Sequence, residues 1–178
     1  MPTAAARTEA KNAKPTSSGR RKTADSRSRL KDAVAMLKAD HRAVEKLFGQ
    51  YEKAKDAQEK LRIFNRIDME LKVHTQIEEE IFYPASREFL DDDDIVNEAI
   101  VEHQAAKDLM AQIEQMDPSD EMYDAKVTVL KEMIEHHVEE EEQEYFPEVR
   151  KSEMDTRAVG EQLKARREEL MAQMRTTP

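Results

Sequence analysis

Four of the five histidines in this chain, His41, His74, His103 and His137, recur at near-constant intervals, and two of them are followed four residues later by a glutamate, Glu78 and Glu141. In a helix, residues i and i+4 point the same way, so each His-x-x-x-Glu pair presents an imidazole and a carboxylate to one place. Imidazole and carboxylate donors without a thiolate suit Fe, Mn or Zn, and carboxylate oxygens shared between two ions favour Fe or Mn over Zn. The candidate chemistry is therefore that of a two-metal centre. No Ser–His–acid set and no open mononuclear zinc site competes with it.

These residues need elements that bring them together, and the apolar pattern supplies four. Apolar residues at three- and four-residue steps mark the buried face of a helix. The stripes are Leu30, Val34, Leu37, His41, Val44, Phe48, Tyr51; then Leu61, Phe64, Ile67, Leu71, His74, Glu78, Ile81; then Val96, Ala99, His103, Ala106, Met110, Ile113; and last Tyr123, Val127, Leu130, Ile134, His137, Glu141, Tyr145. Asp56 with Glu59 has the form of a capping box opening the second helix. Asp91 to Asp94 put negative charge at the start of the third, and Asp117-Pro118 suggests a cap and first turn for the fourth. Short connections force an antiparallel up-down four-helix bundle. The predicted fold is all-α, with the bundle at 30–150, a basic disordered tail at 1–29 and a further amphipathic C-terminal helix at 151–178 (Val159, Leu163, Leu170, Met174).

Each stripe carries its histidine near mid-height, where a packed bundle would carry leucine. Burying an imidazole or a carboxylate costs several kcal/mol unless it is paired or bound to a metal. A lone histidine on an apolar face would be a hydrogen-bonded core residue, but four at matching heights with two glutamates are a ligand set. The positions also repeat: His74 to His137, Glu78 to Glu141 and Pro84 to Pro147 are each 63 residues apart, and His41 to His103 are 62 apart. The segments HTQIEEEIFYP and HVEEEEQEYFP align without a gap. The chain reads as a duplicated helical hairpin.

Over roughly residues 30–150 these features resemble the hemerythrin-like, HHE cation-binding domains of bacteria. The resemblance implies a four-helix bundle around a non-haem di-iron site, two Fe ions per chain with an oxo or hydroxo bridge. It makes His41, His74, His103 and His137 terminal ligands and Glu78 and Glu141 bridges. Oxygen-carrying hemerythrins have a second histidine four residues after the helix-three histidine, where this chain has Lys107. They also have an aspartate five residues after the helix-four histidine, where this chain has Glu141 at four. The symmetric set resembles instead the bacterial proteins linked to peroxide breakdown, iron handling and oxidative or nitrosative stress.

Two functions follow as expectations. In one, the centre is an enzyme that disproportionates hydrogen peroxide, catalase-like; in the other, it binds or senses iron, dioxygen or nitric oxide without turnover. Glu45, four residues after His41, is a possible further ligand, or else the partner of Lys107 in an ion pair closing one end of the site. His136 lies about 100° off the stripe and is excluded. The other members of the glutamate runs 78–80 and 139–142 read as a solvated face. Tyr51, Tyr83 and Tyr145 read as core aromatics, one of them placed to donate a hydrogen bond at the site.

Composition bounds the rest. The 178 residues contain no cysteine, three glycines and 38% charged side chains, a balance that favours long solvated helices and excludes disulfides and thiolate chemistry. No run approaches the roughly 20 apolar residues of a membrane span, and no signal-peptide core is visible; the expectation is a cytoplasmic protein, a monomer or weak oligomer. Residues 1–29 carry eight basic and two acidic residues, +6, and the remainder 21 basic and 37 acidic, −16. The basic segment reads as a solubilising extension, and nucleic acid as an unlikely partner because the acidic body repels phosphate.

Overall fold

A computed structural model describes residues 32–90 and 94–176, with side chains to 174; the basic segment 1–29 and Leu30 lie outside the described residues. The described chain is helical, without a strand. Helix α1 is Ala33–Tyr51. Helix α2, Ala57–Ile77, runs on through a π-helical turn, Glu78–Phe82, into α3, Tyr83–Arg87. Helix α4 is Asp94–Glu114. Helix α5, Tyr123–Glu140, repeats the pattern through a second π turn, Glu141–Tyr145, into α6, Phe146–Lys151. Helix α7, Thr156–Thr176, is last.

The helix starts follow the expected chemistry in part. The Asp56 carboxylate accepts from Glu59 N at 2.9 Å, opening α2 as a capping residue should. Asp32, which the stripe reading passed over, caps α1 by accepting from Ala35 N at 3.0 Å. Asp117-Pro118 does not begin the fourth helix. Asp117 accepts from Ser119 N at 2.8 Å inside a loop turn, and α5 begins only at Tyr123. Asp–x–Ser bonding of this kind competes with the helix for the same backbone.

Helix α1 packs along α2 and α4 along α5, and the hairpins meet with α2 against α4. Cross-hairpin bonds such as Tyr51 Oη to Asp124 at 2.8 Å tie α1 to α5. This is an antiparallel bundle in which α1 and α4 stand on the diagonal. Two apolar layers fill it. One contains Val44, Phe48, Phe64, Leu71, Met110, Leu130 and Ile134; the other contains Leu37, Ile77, Phe82, Tyr83, Phe146 and Val149. The four histidines and two glutamates lie between the layers. Helix α7 lays Val159, Leu163 and Leu170 on the second layer, over Val34, Leu37, Val73 and Ile77 of the first hairpin. Among the described residues no helix is long and apolar enough to cross a membrane.

Candidate metal centre

The π turns begin at the two glutamates, and the sequence explains them. Pro84 and Pro147 lack an N–H, and in an α-helix their rings would strike the carbonyls of Glu80 and Gln143, four residues back. Widening the turn by one residue relieves the clash. Tyr83 N–H then bonds Glu78 O, and Phe146 N–H bonds Glu141 O, each reaching five residues back. The wider turn brings the aromatic pairs Phe82–Tyr83 and Tyr145–Phe146 inward together, all 1% exposed or less. Tyr83 then stacks on His103 at 5.6 Å and Phe146 on His41 at 5.8 Å.

All six candidate ligands converge. Their exposures run from 0% at Glu78 to 4% at His41 and His74. The Nε2 atoms form two pairs, His41 with His74 at 3.2 Å and His103 with His137 at 3.1 Å. Each glutamate spans the pairs. Glu78 Oε2 lies 3.1 Å from His74 Nε2 and 3.5 Å from His103 Nε2. Glu141 Oε2 lies 3.3 Å from His41 Nε2 and 3.7 Å from His137 Nε2. One group of possible ligand atoms comes from His41, His74, Glu78 and Glu141, and a second from Glu78, His103 and His137.

Three of the four imidazoles are held from behind by a carboxylate at Nδ1, and His74 Nδ1 has none within hydrogen-bond distance. Glu142 stands 3.0 Å from His41, Glu79 2.9 Å from His103 and Glu102 2.8 Å from His137; Asp40 is more distant, 3.7 Å from His74. Such partners fix the tautomer, leave Nε2 free as a donor and orient the ring. Glu79 and Glu142 are thus not part of a solvated face. Glu142 is further gripped by Arg42 at 2.7 Å and Lys38 at 3.3 Å, and Glu79 by Lys107 at 2.6 Å. A signal for all four was in the sequence: Asp40 and Glu102 each precede a histidine of the repeat, and Glu79 and Glu142 each follow a glutamate.

Glu45 is not at the centre. Its side chain is 63% exposed and pairs with Arg42 at 3.0 Å. The alternative pair with Lys107 is also absent, because α1 and α4 stand diagonally and Lys107 turns to Glu79 of the first π turn. His136 is 62% exposed and lies near Glu102 and Glu140, off the centre.

The electrostatics suit a cation. Burial and the neighbouring Glu141 push the Glu78 carboxyl well above its ordinary range. Burial would raise Glu141 too, but the imidazoles of His137 and His41 more than offset it and hold that carboxyl low. Burial drops His74 to about 4. Neither oxygen of Glu78 and not Oε2 of Glu141 finds a hydrogen-bond partner. Buried carboxylate oxygens without donors are costly, and facing imidazole nitrogens are the complement that a metal pair would satisfy. Beside the rings lies a cavity of about 10 Å³ walled by Val44, Leu71, Thr75, Ile134 and Val138.

A helical bundle with a buried histidine–carboxylate cluster of this kind is a metal-binding architecture. The chain matches the hemerythrin HHE cation binding domain over residues 32–149 and belongs to that family. A solved structure of a hemerythrin HHE cation binding domain-containing protein from Mycobacterium kansasii superposes with a TM-score of 0.68 at 24% identity, covering 82% of this chain and 93% of that one. A relative described as a DNA nickase, from Nostoc sp., is 30% identical over 115 residues, 65% of this chain. The match covers 32% of that relative, so this chain spans about a third of its length.

Proposed function

We propose that the chain is a di-iron protein that reacts with a small oxygen-type ligand, with hydrogen peroxide disproportionation as its activity. His41 and His74 would hold one ion, His103 and His137 the other, and Glu78 and Glu141 would bridge them. The observation that carries this reading is that one oxygen of each glutamate, Oε2, lies between imidazoles of both pairs. When bound, the metal pair supplies reversible two-electron redox chemistry, which converts two peroxide molecules to dioxygen and two waters. The protein's part is to admit something no larger than peroxide. The apolar-walled cavity of about 10 Å³ is at the lower limit for one water molecule and rejects organic substrates.

Tyr83 is the proton-bearing group at this site. Its hydroxyl donates to Glu141 Oε1 at 3.1 Å and lies 3.3 Å from His103 Nε2. Burial and the carboxylates of Glu78 and Glu141 push the phenol far up, so it stays protonated. In the other half of the repeat its place is taken by Phe146, which has no proton to offer. Tyr83→Phe is expected to retain the metals and to lower peroxide turnover by about a hundredfold, the low end of general acid–base contributions. Wild-type turnover in that variant, measured by oxygen evolution, would remove Tyr83 from the chemistry.

The same assay tests the function itself. Metal analysis should give two irons per chain, and the loaded protein should evolve dioxygen steadily from peroxide. Iron without oxygen evolution would favour a second reading, a sensor or binder. One contact supports that reading: Arg167 of α7 bonds Asp40, the carboxylate behind His74, and also Glu70 at 2.6 Å, so the C-terminal helix touches the site.

DNA cleavage is not part of the proposal, since only a third of the nickase-described relative corresponds to this chain. The full-length protein is expected to leave supercoiled plasmid intact and to give no DNA mobility shift. A salt-sensitive shift that vanishes on deleting residues 1–29 would assign that basic segment to nucleic acid.

A further inference from the structure

We propose that the cleft between α1 and α5, floored by Phe48, Ile134 and Val138, is the entrance by which small uncharged molecules reach the metal centre, and that Lys107 closes the equivalent entrance on the opposite side. The inference rests on the di-iron reading and deepens it. The cleft holds about 350 Å³ and runs down to His41. His41, Ile134 and Val138 line both this cleft and the small cavity against the histidine rings, so these three side chains are the partition between them. Two of the three are aliphatic and can change rotamer to pass a small molecule.

The internal repeat supplies the comparison. The counterparts of Ile134, Val138 and Phe48 in the other half are Leu71, Thr75 and Met110. Ile134 is 8% exposed and Val138 is half-buried, whereas Leu71, Thr75 and Met110 are 2%, 1% and 0% exposed. One floor faces an open cleft and the other is sealed. Two rim residues are reversed in charge in the other half, Glu135 (Lys72) and Glu45 (Lys107), and of these Lys107 is the one that reaches the carboxylate behind a histidine. Lys107 Nζ reaches both oxygens of Glu79 at 2.6 Å and lies across its side of the bundle. Glu45 cannot pair with Glu142, the matching carboxylate on its own side, and both instead bind Arg42, at 3.0 and 2.7 Å.

The rim also selects by charge. It bears Glu45, Glu135, Glu139 and Glu142 against Arg42. A negative mouth disfavours anions and is indifferent to hydrogen peroxide, dioxygen and nitric oxide.

Glu45→Lys would place a cation at the position equivalent to Lys107, exposed and therefore tolerant of the change, where it joins Arg42 and Lys38 around Glu142. Val138→Phe would fill the cleft from its floor. In stopped-flow mixing of the iron-loaded full chain with nitric oxide, followed by absorbance, both variants should keep wild-type iron content and bind about tenfold more slowly. Xenon-pressurised crystals give a readout independent of iron: xenon should sit over Val138 and Ile134 in the wild type and be lost in Val138→Phe. Unchanged nitric oxide rates in both variants at full iron content would overturn the entrance, as would xenon entering over Leu71 and Thr75 instead. A wild type that takes up no iron would overturn the di-iron reading, and the xenon positions would then decide the entrance by themselves.

Discussion

Glu141→Ala is expected to empty both metal positions, and Glu78→Ala to do the same. Each carboxylate lies between imidazoles of both pairs, so removing one takes a donor from two ions and leaves their four histidines facing across a void. Replacing the carboxylate behind a ring is a different experiment. Glu79→Ala frees His103 Nδ1 and releases Lys107, and should weaken binding by about 10- to 100-fold, so that metal is retained at excess and lost on dilution. Glu140→Ala, near the exposed His136, should change nothing. Iron content by elemental analysis after gel filtration separates the three outcomes. Wild-type iron in Glu141→Ala would refute the bridging assignment.

Stripping the metal should cost the fold a large part of its stability. Without it, two carboxylates and four imidazoles remain buried between apolar layers, with three of the carboxylate oxygens lacking any hydrogen-bond partner. At free metal about 1,000-fold above Kd, binding contributes about 4 kcal/mol to the folded state. For a chain of this length each kcal/mol moves Tm by roughly 2–4 °C, so chelation should lower Tm by roughly 8–16 °C. The same chelator should leave the Glu141→Ala variant unmoved, because that protein has no metal to lose. Equal melting of apo- and holo-protein by calorimetry would count against the whole site.

The helices and the six converging residues were legible in the sequence because both are local or periodic facts. A stripe at three- and four-residue steps states which face of a helix is buried, and a histidine on that stripe is buried with it. His41, Val44 and Phe48, or Leu130, Ile134 and His137, needed no partner to be placed. The 63-residue repeat then put the two His-x-x-x-Glu segments at the same height. The π turns were present in the sequence too, in the proline six residues after each glutamate, although a stripe drawn with a fixed α period passes straight over them.

Only the tertiary structure decided what stands opposite each side chain. Helical period gives a direction about a helix's own axis and says nothing of the helix across the gap. Glu79 and Glu142 sit one position off the stripe and read as solvent-facing, yet each meets a ring about 24 or 101 residues away in the chain, His103 and His41. Glu45 and Lys107, related by the repeat and opposite in charge, look like partners in the sequence. They occupy diagonal helices, so each faces the other hairpin, and repeat-related residues are kept apart by the same symmetry that relates them. That separation leaves Lys107 lying on Glu79 at one flank of the bundle while Glu45 turns out to Arg42 at the other, where the cleft opens, a difference that only tertiary placement decides.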